Sequence, residues 1–126
     1  MRACAVYTSL RRRADFSRVH QQGRRKGDAL LQVRVFPSPP DAAVPGRVRL
    51  GIIASKKYGG AVARNRFKRI VRAALRMLGA GLQPGWDILV LPREGAAVAG
   101  SRDIAASMRG LLGTLGVCTA TEGEDA

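Results

Sequence analysis

Hydrophobic residues along the chain recur at two periods, 3.6 and 2, and the switches between them lay out its elements. Phe16, Val19 and His20 are spaced as on a helix and Gly23 reads as a stop, which predicts a short helix over Arg13–Gln22. The basic segment before it is expected to be loose. "ALLQVRVF" then alternates, with Leu31, Val33 and Val35 on one face and Gln32, Arg34 and Phe36 on the other. Beyond the loop "PSPPDAAVPG", "RVRLGIIAS" sets Val48, Leu50, Ile52 and Ala54 against Arg47, Arg49 and Ile53. One face of this sheet looks to the core. The other is a mixed cationic and aromatic surface, either merely solvated or used for binding. "AVARNRFKRIVRAALRML" predicts the longest helix. Ala63, Phe67, Ile70, Val71, Ala74 and Leu78 cluster in one sector, and Asn65, Lys68, Arg69, Arg72 and Arg76 fill the opposite one, with Arg64 and Arg66 at the borders. "GAGLQPG" ends it. "WDILVLP" is nearly continuous in apolar residues, as in a strand buried on both faces, and Ile104, Met108, Leu111, Leu112 and Leu115 predict a packing helix over roughly Ser101 to Leu115.

The order is helix, strand, strand, helix, strand, helix, with room for a further strand around Arg24 to Asp28. A strand–helix–strand unit from Arg47 to Leu91 implies two parallel strands, and a hairpin of the first two long strands adds an antiparallel edge. The fold class is α+β: a single two-layer domain over residues 1–117, its mixed sheet covered on one face by helices. A basic tail spans 1–12, and the acidic segment 118–126 is expected to be disordered.

Charge changes this picture. The 126 residues hold 22 Lys and Arg against 9 Asp and Glu, a net of +13. From Met1 to Leu78 there are 19 basic and 3 acidic residues; from Gly79 to the end, 3 basic and 6 acidic. No acid lies between Asp41 and Asp87, where ten cations do. A one-sided positive field is the footprint of a polyanion partner. Nucleic acid is favoured over a membrane, because the basic segments carry no Trp/Phe/Leu face. Cys4 and Cys118 have neither disulfide-framework nor metal-ligand spacing and fit a reduced compartment. "MRACAVYTSLRRRADF" lacks the apolar core of a signal peptide and no run approaches the roughly 20 residues that span a bilayer, so a cytoplasmic protein without a membrane partner is expected.

The stretch "KKYGGAVARNRFKRIVRAALR" concentrates the chemistry. Like charges at i, i+4 cost a helix about 0.2–0.5 kcal/mol per pair, and Lys68–Arg72 and Arg72–Arg76 are such pairs with no acid at that spacing to relieve them. Arginine dominates, the residue whose planar fork suits phosphate and stacks on bases. A solvated face would interleave signs; this one reads as a phosphate- and base-facing stripe. Gly59-Gly60 is either a turn that needs positive φ or a close approach to phosphate at a helix N-terminus. Phe16 is either a core anchor or a stacking platform for an unpaired base, and His20 reads first as a surface residue. Asp15, Asp28, Asp41, Asp87 and Asp103 stand on different elements with no paired spacing, and no histidine pair or nucleophile set is assembled, so the chain reads as a binder and not a nuclease.

The same residues resemble the protein subunit of bacterial ribonuclease P. The family's central Arg-Asn-Arg triplet followed by Lys-Arg is matched by Arg64-Asn65-Arg66 with Lys68-Arg69 and Arg72. "LRRRADFSRVHQQGRRK" is similar to its opening, and "WDILVLPR" to its third-strand segment. The resemblance implies an αβββαβα fold with a left-handed βαβ crossover, where the general preference would be right-handed. It implies a ribonucleoprotein endonuclease in which the RNA subunit carries the active site and mainly holds the Mg2+ ions. The protein would be a monomer bound one-to-one to that RNA. Lys56, Lys57, Arg64, Asn65, Arg66, Lys68, Arg69, Arg72 and Arg76 would meet the RNA subunit. Phe16, His20, Arg34, Phe36 and Arg49 would meet the single-stranded 5′ leader of precursor tRNA in a cleft between the first helix and the sheet.

Departures from the family pattern bear on the leader cleft. His20 stands where an aromatic residue is frequent and Arg34 where a Tyr is, with Phe36 as a substitute; Ala73 replaces a frequent acid, and Phe67 a branched aliphatic. A general RNA-binding or ribosome-associated protein is the main alternative, followed by a stand-alone nuclease and a DNA-binding protein.

Overall fold

The computed structural model describes residues 7–41 and 47–117, Ala80 by its backbone alone. Cys4, Cys118 and the acidic segment 118–126 lie outside the described residues. The elements run β1 (Tyr7–Ser9), α1 (Arg13–Gln22), β2 (Arg24–Gly27), β3 (Leu31–Pro37), β4 (Val48–Ile52), α2 (Ala61–Leu78), β5 (Trp86–Pro92) and α3 (Ser101–Thr114), with 3-10 turns at Gly79–Gly81 and Glu94–Val98. Part of the segment expected to be loose, Tyr7–Ser9, is thus a strand. It runs parallel to β4 with Tyr7 opposite Val48, and backbone hydrogen bonds to β4 define it where its three residues show no pattern.

The sheet has five strands in the order β1-β4-β5-β3-β2. β4 and β5 are parallel, joined through α2, as the strand–helix–strand pattern implies. The expected hairpin of β3 with β4 does not form. β3 pairs antiparallel with β5, Val33 opposite Val90, and the antiparallel edge is the β2–β3 hairpin. The reason lies in β5, whose Asp87–Val90 stretch is buried throughout; a strand apolar on both faces belongs at the sheet centre, and the Pro-rich connection after β3 is too long to enforce a tight turn.

On one face Leu31, Val33, Val35, Val48, Leu50, Ile88 and Val90 pack against Phe67, Val71, Ala74, Leu75 and Leu78 of α2 and Ile104, Met108, Leu111 and Leu112 of α3. Each such buried aliphatic contributes about 1.5–3 kcal/mol relative to exposure. Leu75 joins the apolar sector read from the sequence, while Ala63 and Ile70 are only half-buried. Gly79 stops α2 at φ 47° and donates its N–H to the Leu75 carbonyl, a conformation that favours glycine. The other face is not simply open. α1 lies across it, and Leu10, Val19 and Leu89 are buried there, apart from the main core.

Candidate nucleic-acid interface

α2 begins at Gly60 without a side-chain cap and without an acid in its first turn. Its apolar sector is spent on the sheet, so the opposite sector must face outward. Asn65, Arg69, Arg72 and Arg76 are exposed, and Arg64 and Lys68 are half-buried at the margins. Among the described residues, Lys56, Lys57, Arg64, Lys68, Arg69 and Arg72 have no acidic partner. Two cations of the stripe are held internally. Arg66 Nη2 donates to the Ala99 carbonyl at 3.0 Å and Nη1 to that of Ala97 at 3.4 Å, tying α2 to the segment before α3. Arg76 Nη1 donates to the Tyr7 hydroxyl at 3.3 Å. Lys56 and Lys57 sit in the loop before α2, where Lys57 helps line a separate hollow of about 340 Å³ with Tyr58 and Arg93.

Neither Gly59 nor Gly60 has a positive φ, so the turn explanation fails for both. Gly59 is a packing glycine: a Cβ there would stand 2.9 Å from that of Ala63. Nothing lies within 4 Å of a Cβ at Gly60.

The second face of the sheet carries the other set of predicted residues, and it treats them unequally. Arg49, expected at an open surface, is buried under α1 at 8% exposure. Its Nε and Nη2 each donate to Asp87 at 2.7 Å, and its Nη1 donates to Asp15 at 3.3 Å. Asp87 is fully buried and also accepts from the Ser38 hydroxyl at 2.6 Å. Asp15 accepts from Arg18 at 2.9 Å. Burial pushes the Asp15 carboxyl up, but hydrogen bonds from Arg18 and Arg49, then their charges, hold it below the usual carboxylate range. Carboxylates that stand apart in the sequence therefore do converge, on a guanidinium. Arg49 is an internal counter-ion, unavailable to a ligand in this arrangement.

Arg34 is half-buried, its Nε donating to Gln32 at 2.9 Å and its Nη1 to the His20 carbonyl. Burial, and then the charge of Arg25 opposite it on β2, pulls its pKa below the ordinary arginine value. The His20 side chain is exposed and Phe36 is half-buried beside Asp87.

Phe16 is the residue at which the two surfaces meet. Its half-buried ring lies over the backbone of β4, where a Cβ at Gly51 would be 2.6 Å from Phe16 Cε1. The ring lines a cleft of about 150 Å³ together with Lys68 and Arg72 of α2 and with Ser9, Leu10 and Ile52. A stacking platform and two cations with no acidic partner thus share one hollow, the arrangement that suits an unpaired nucleotide and its phosphates. Sequence reasoning named Phe16, Lys68 and Arg72 but missed Gly51, whose missing side chain admits the ring, and the pair Asp15–Asp87. A lone acid inside the apolar run "WDILVLP" was the available signal, since a charge in a central strand requires a partner. Among the described residues no group of three or more His, Cys, Asp or Glu is placed to hold a metal ion.

Comparison with known proteins points to one family. The family model for Ribonuclease P matches residues 6–116. The ribonuclease P protein component of Herpetosiphon aurantiacus is 40% identical over 103 residues, covering 82% of this chain and 80% of that one. Its counterpart from Dehalococcoides mccartyi is 41% identical over 104 residues, covering 82% and 81%. Among solved structures, the Staphylococcus aureus RNase P protein superposes with a TM-score of 0.73 at 27% identity, over 87% of this chain and 96% of that one. The Thermotoga maritima RNase P protein gives 0.67 at 26% identity, over 79% and 90%.

Proposed function

The chain belongs to the ribonuclease P protein family, and from that premise we propose how its two surfaces divide the work. As the protein component of ribonuclease P it serves the endonucleolytic maturation of tRNA 5′ ends. The exposed stripe of α2, led by Arg64, Asn65, Lys68, Arg69 and Arg72, docks on the RNA subunit through phosphate contacts. The Phe16 cleft takes an unpaired nucleotide of the 5′ leader of precursor tRNA, with His20, Arg34 and Phe36 farther along the same face. Arg66 and Arg76 act at the edge of the stripe, each already holding an internal acceptor. Arg49 supports the cleft from below.

One observation carries this reading: Lys68, Arg69 and Arg72 of α2 have no acidic partner among the described residues, while Asp15 and Asp87 are engaged by Arg18 and Arg49. A cation stripe that destabilises its own helix calls for an external anion. In this reading the Mg2+ of the reaction is held mainly by the RNA subunit. The protein's part is to bind and orient. The same reading has one protein per RNA in the bacterial cytoplasm; no helix among the described residues is long and apolar enough to cross a membrane.

The test is reconstitution at low magnesium with a bacterial ribonuclease P RNA and a precursor tRNA. Wild-type chain is expected to restore 5′ cleavage, and Arg69→Ala/Arg72→Ala to restore it poorly. These two positions are chosen over Arg66 because they have no internal bond to lose. RNA binding without restored cleavage would instead favour a general RNA-binding protein, and cleavage without the RNA subunit would make the chain a nuclease.

A further inference from the structure

We infer that the buried Asp15–Arg49–Asp87 network is the positioning device of the Phe16 cleft, setting how strongly the protein distinguishes an RNA with an unpaired leader from one without; this rests on the leader reading above. Of the ten residues of α1 only Asp15 and Val19 are buried. At its buried positions the helix is therefore held by one apolar peg and one polar clamp, with the half-buried Phe16 ring beside them. The clamp is anchored in the sheet centre: Asp87 of β5, fully buried, is gripped by both the Nε and Nη2 of Arg49 at 2.7 Å. It reaches α1 through Arg49 Nη1 to Asp15 at 3.3 Å, and Arg18 closes it from the solvent side at 2.9 Å.

The neighbouring positions make this a device for the ring. Asp15 directly precedes Phe16 in the first turns of α1. Arg49 and Gly51 stand on the same face of β4, opposite Asp87 and Leu89 of β5. Thus one strand supplies both the group that fixes the helix and the gap that seats the ring, with Gly51 in van der Waals reach of Phe16. An apolar contact in place of the clamp could stabilise as well or better, because desolvating the charges offsets their attraction. It would not specify direction. A forked guanidinium between two carboxylates holds α1 at one rotation and one height. Lys68 and Arg72, which line the same cleft, belong to a helix packed on the other face of the sheet. The width of the cleft therefore depends on where α1 is clamped.

The experiment uses holoenzyme reconstituted with the RNA subunit. It measures the ratio of affinities for precursor tRNA with a leader and mature tRNA without one, together with the cleavage rate at saturating precursor. Phe16→Ala is expected to lower the ratio about tenfold, the scale of one base–aromatic stack. Asp15→Asn is expected to lower it comparably with the saturated cleavage rate unchanged, and the double variant to fall no further than either single one. Asp15→Glu, which keeps the carboxylate, is expected to recover part of the loss. Should Asp15→Asn not fold, Arg49→Lys takes its place: the charge stays and the fork is lost. A folded variant with the wild-type ratio, or single losses that multiply in the double variant, overturns the inference alone. A wild-type ratio of one overturns the leader reading and this inference with it.

Discussion

Arg49 and Arg72 are both arginines of the acid-poor half of the chain, and the fold uses them in opposite ways. Arg49 lies in the sheet beneath α1 with two carboxylates around it. Arg72 lies on α2 with no acidic partner among the described residues, lining a small cleft together with an aromatic ring. Burial makes the difference. In a low-dielectric interior an unpaired charge is prohibitively costly, so Arg49 has acquired acids from two other elements. In water the cost of an unpaired cation is slight, so the stripe on α2 can remain unneutralised until a polyanion arrives. A cation that no acid among the described residues claims is left open to an external anion.

Substitutions should separate the two regions sharply. Arg49→Ala strands the fully buried Asp87 and should cost about 3–5 kcal/mol, seen as a lower urea midpoint. Arg72→Ala should not lower that midpoint, and should weaken RNA binding; equal loss of stability in both would end the distinction. Gly51→Ala sits between the regions. Its Cβ would stand 2.6 Å from the Phe16 ring and 3.0 Å from Leu10, and overpacking of this kind costs about 1–3 kcal/mol. It should also lower affinity for leader-bearing precursor, with binding of the RNA subunit retained.

Acid should act where carboxylates are held inside the fold and leave the stripe untouched. Asp15 and Asp28 both titrate below the usual range. For Asp28, burial pushes the carboxyl up, and the Ser107 hydroxyl, the Leu31 and Leu30 N–H groups and the Arg93 charge outweigh it. A carboxyl whose folded pKa is depressed stabilises the fold above its unfolded value of about 3.9 and loses that contribution as pH falls through the folded value. Thermal melts should therefore be nearly level from about pH 7 to 5 and fall below about pH 4, and Asp15→Asn should flatten that acid limb. A limb of unchanged steepness would mean that Asp15 is not held by its arginines in solution.

The smallest effects belong to the stripe. Arg72→Gln removes two like-charge contacts, with Lys68 and Arg76, and should raise stability by about 0.2–0.5 kcal/mol for each pair relieved. RNA binding should weaken steeply with salt, and each lost phosphate contact should make the log–log slope shallower by about 0.7–0.9. A salt-insensitive complex would remove the stripe from the interface.

Much of this was legible in the sequence. The limits of α1 and α2, and nearly those of α3, follow from a 3.6-residue rhythm between helix stops, because a helix is made of contacts three and four residues apart. The one-sided charge of α2 is legible for the same reason. Tyr7–Ser9 was not, since a three-residue edge strand is defined by its partner β4 and not by its own pattern. The partner of β3 was also hidden. Alternation at Leu31, Val33 and Val35 says which face is buried but not which strand lies alongside, and β5, more than fifty residues away, took the place beside it.

By itself, then, the sequence determined the helices, the strand faces, the one-sign cationic stripe and the family motif around Arg64-Asn65-Arg66, all properties written in neighbouring residues. The tertiary structure alone decided that Arg49 is spent on Asp15 and Asp87, that Arg66 and Arg76 are already bonded, and that Phe16 meets Lys68 and Arg72 over Gly51. Each of those depends on which distant groups share a desolvated volume, and the strand order that brings them together is set by burial of the whole sheet and not by any one segment.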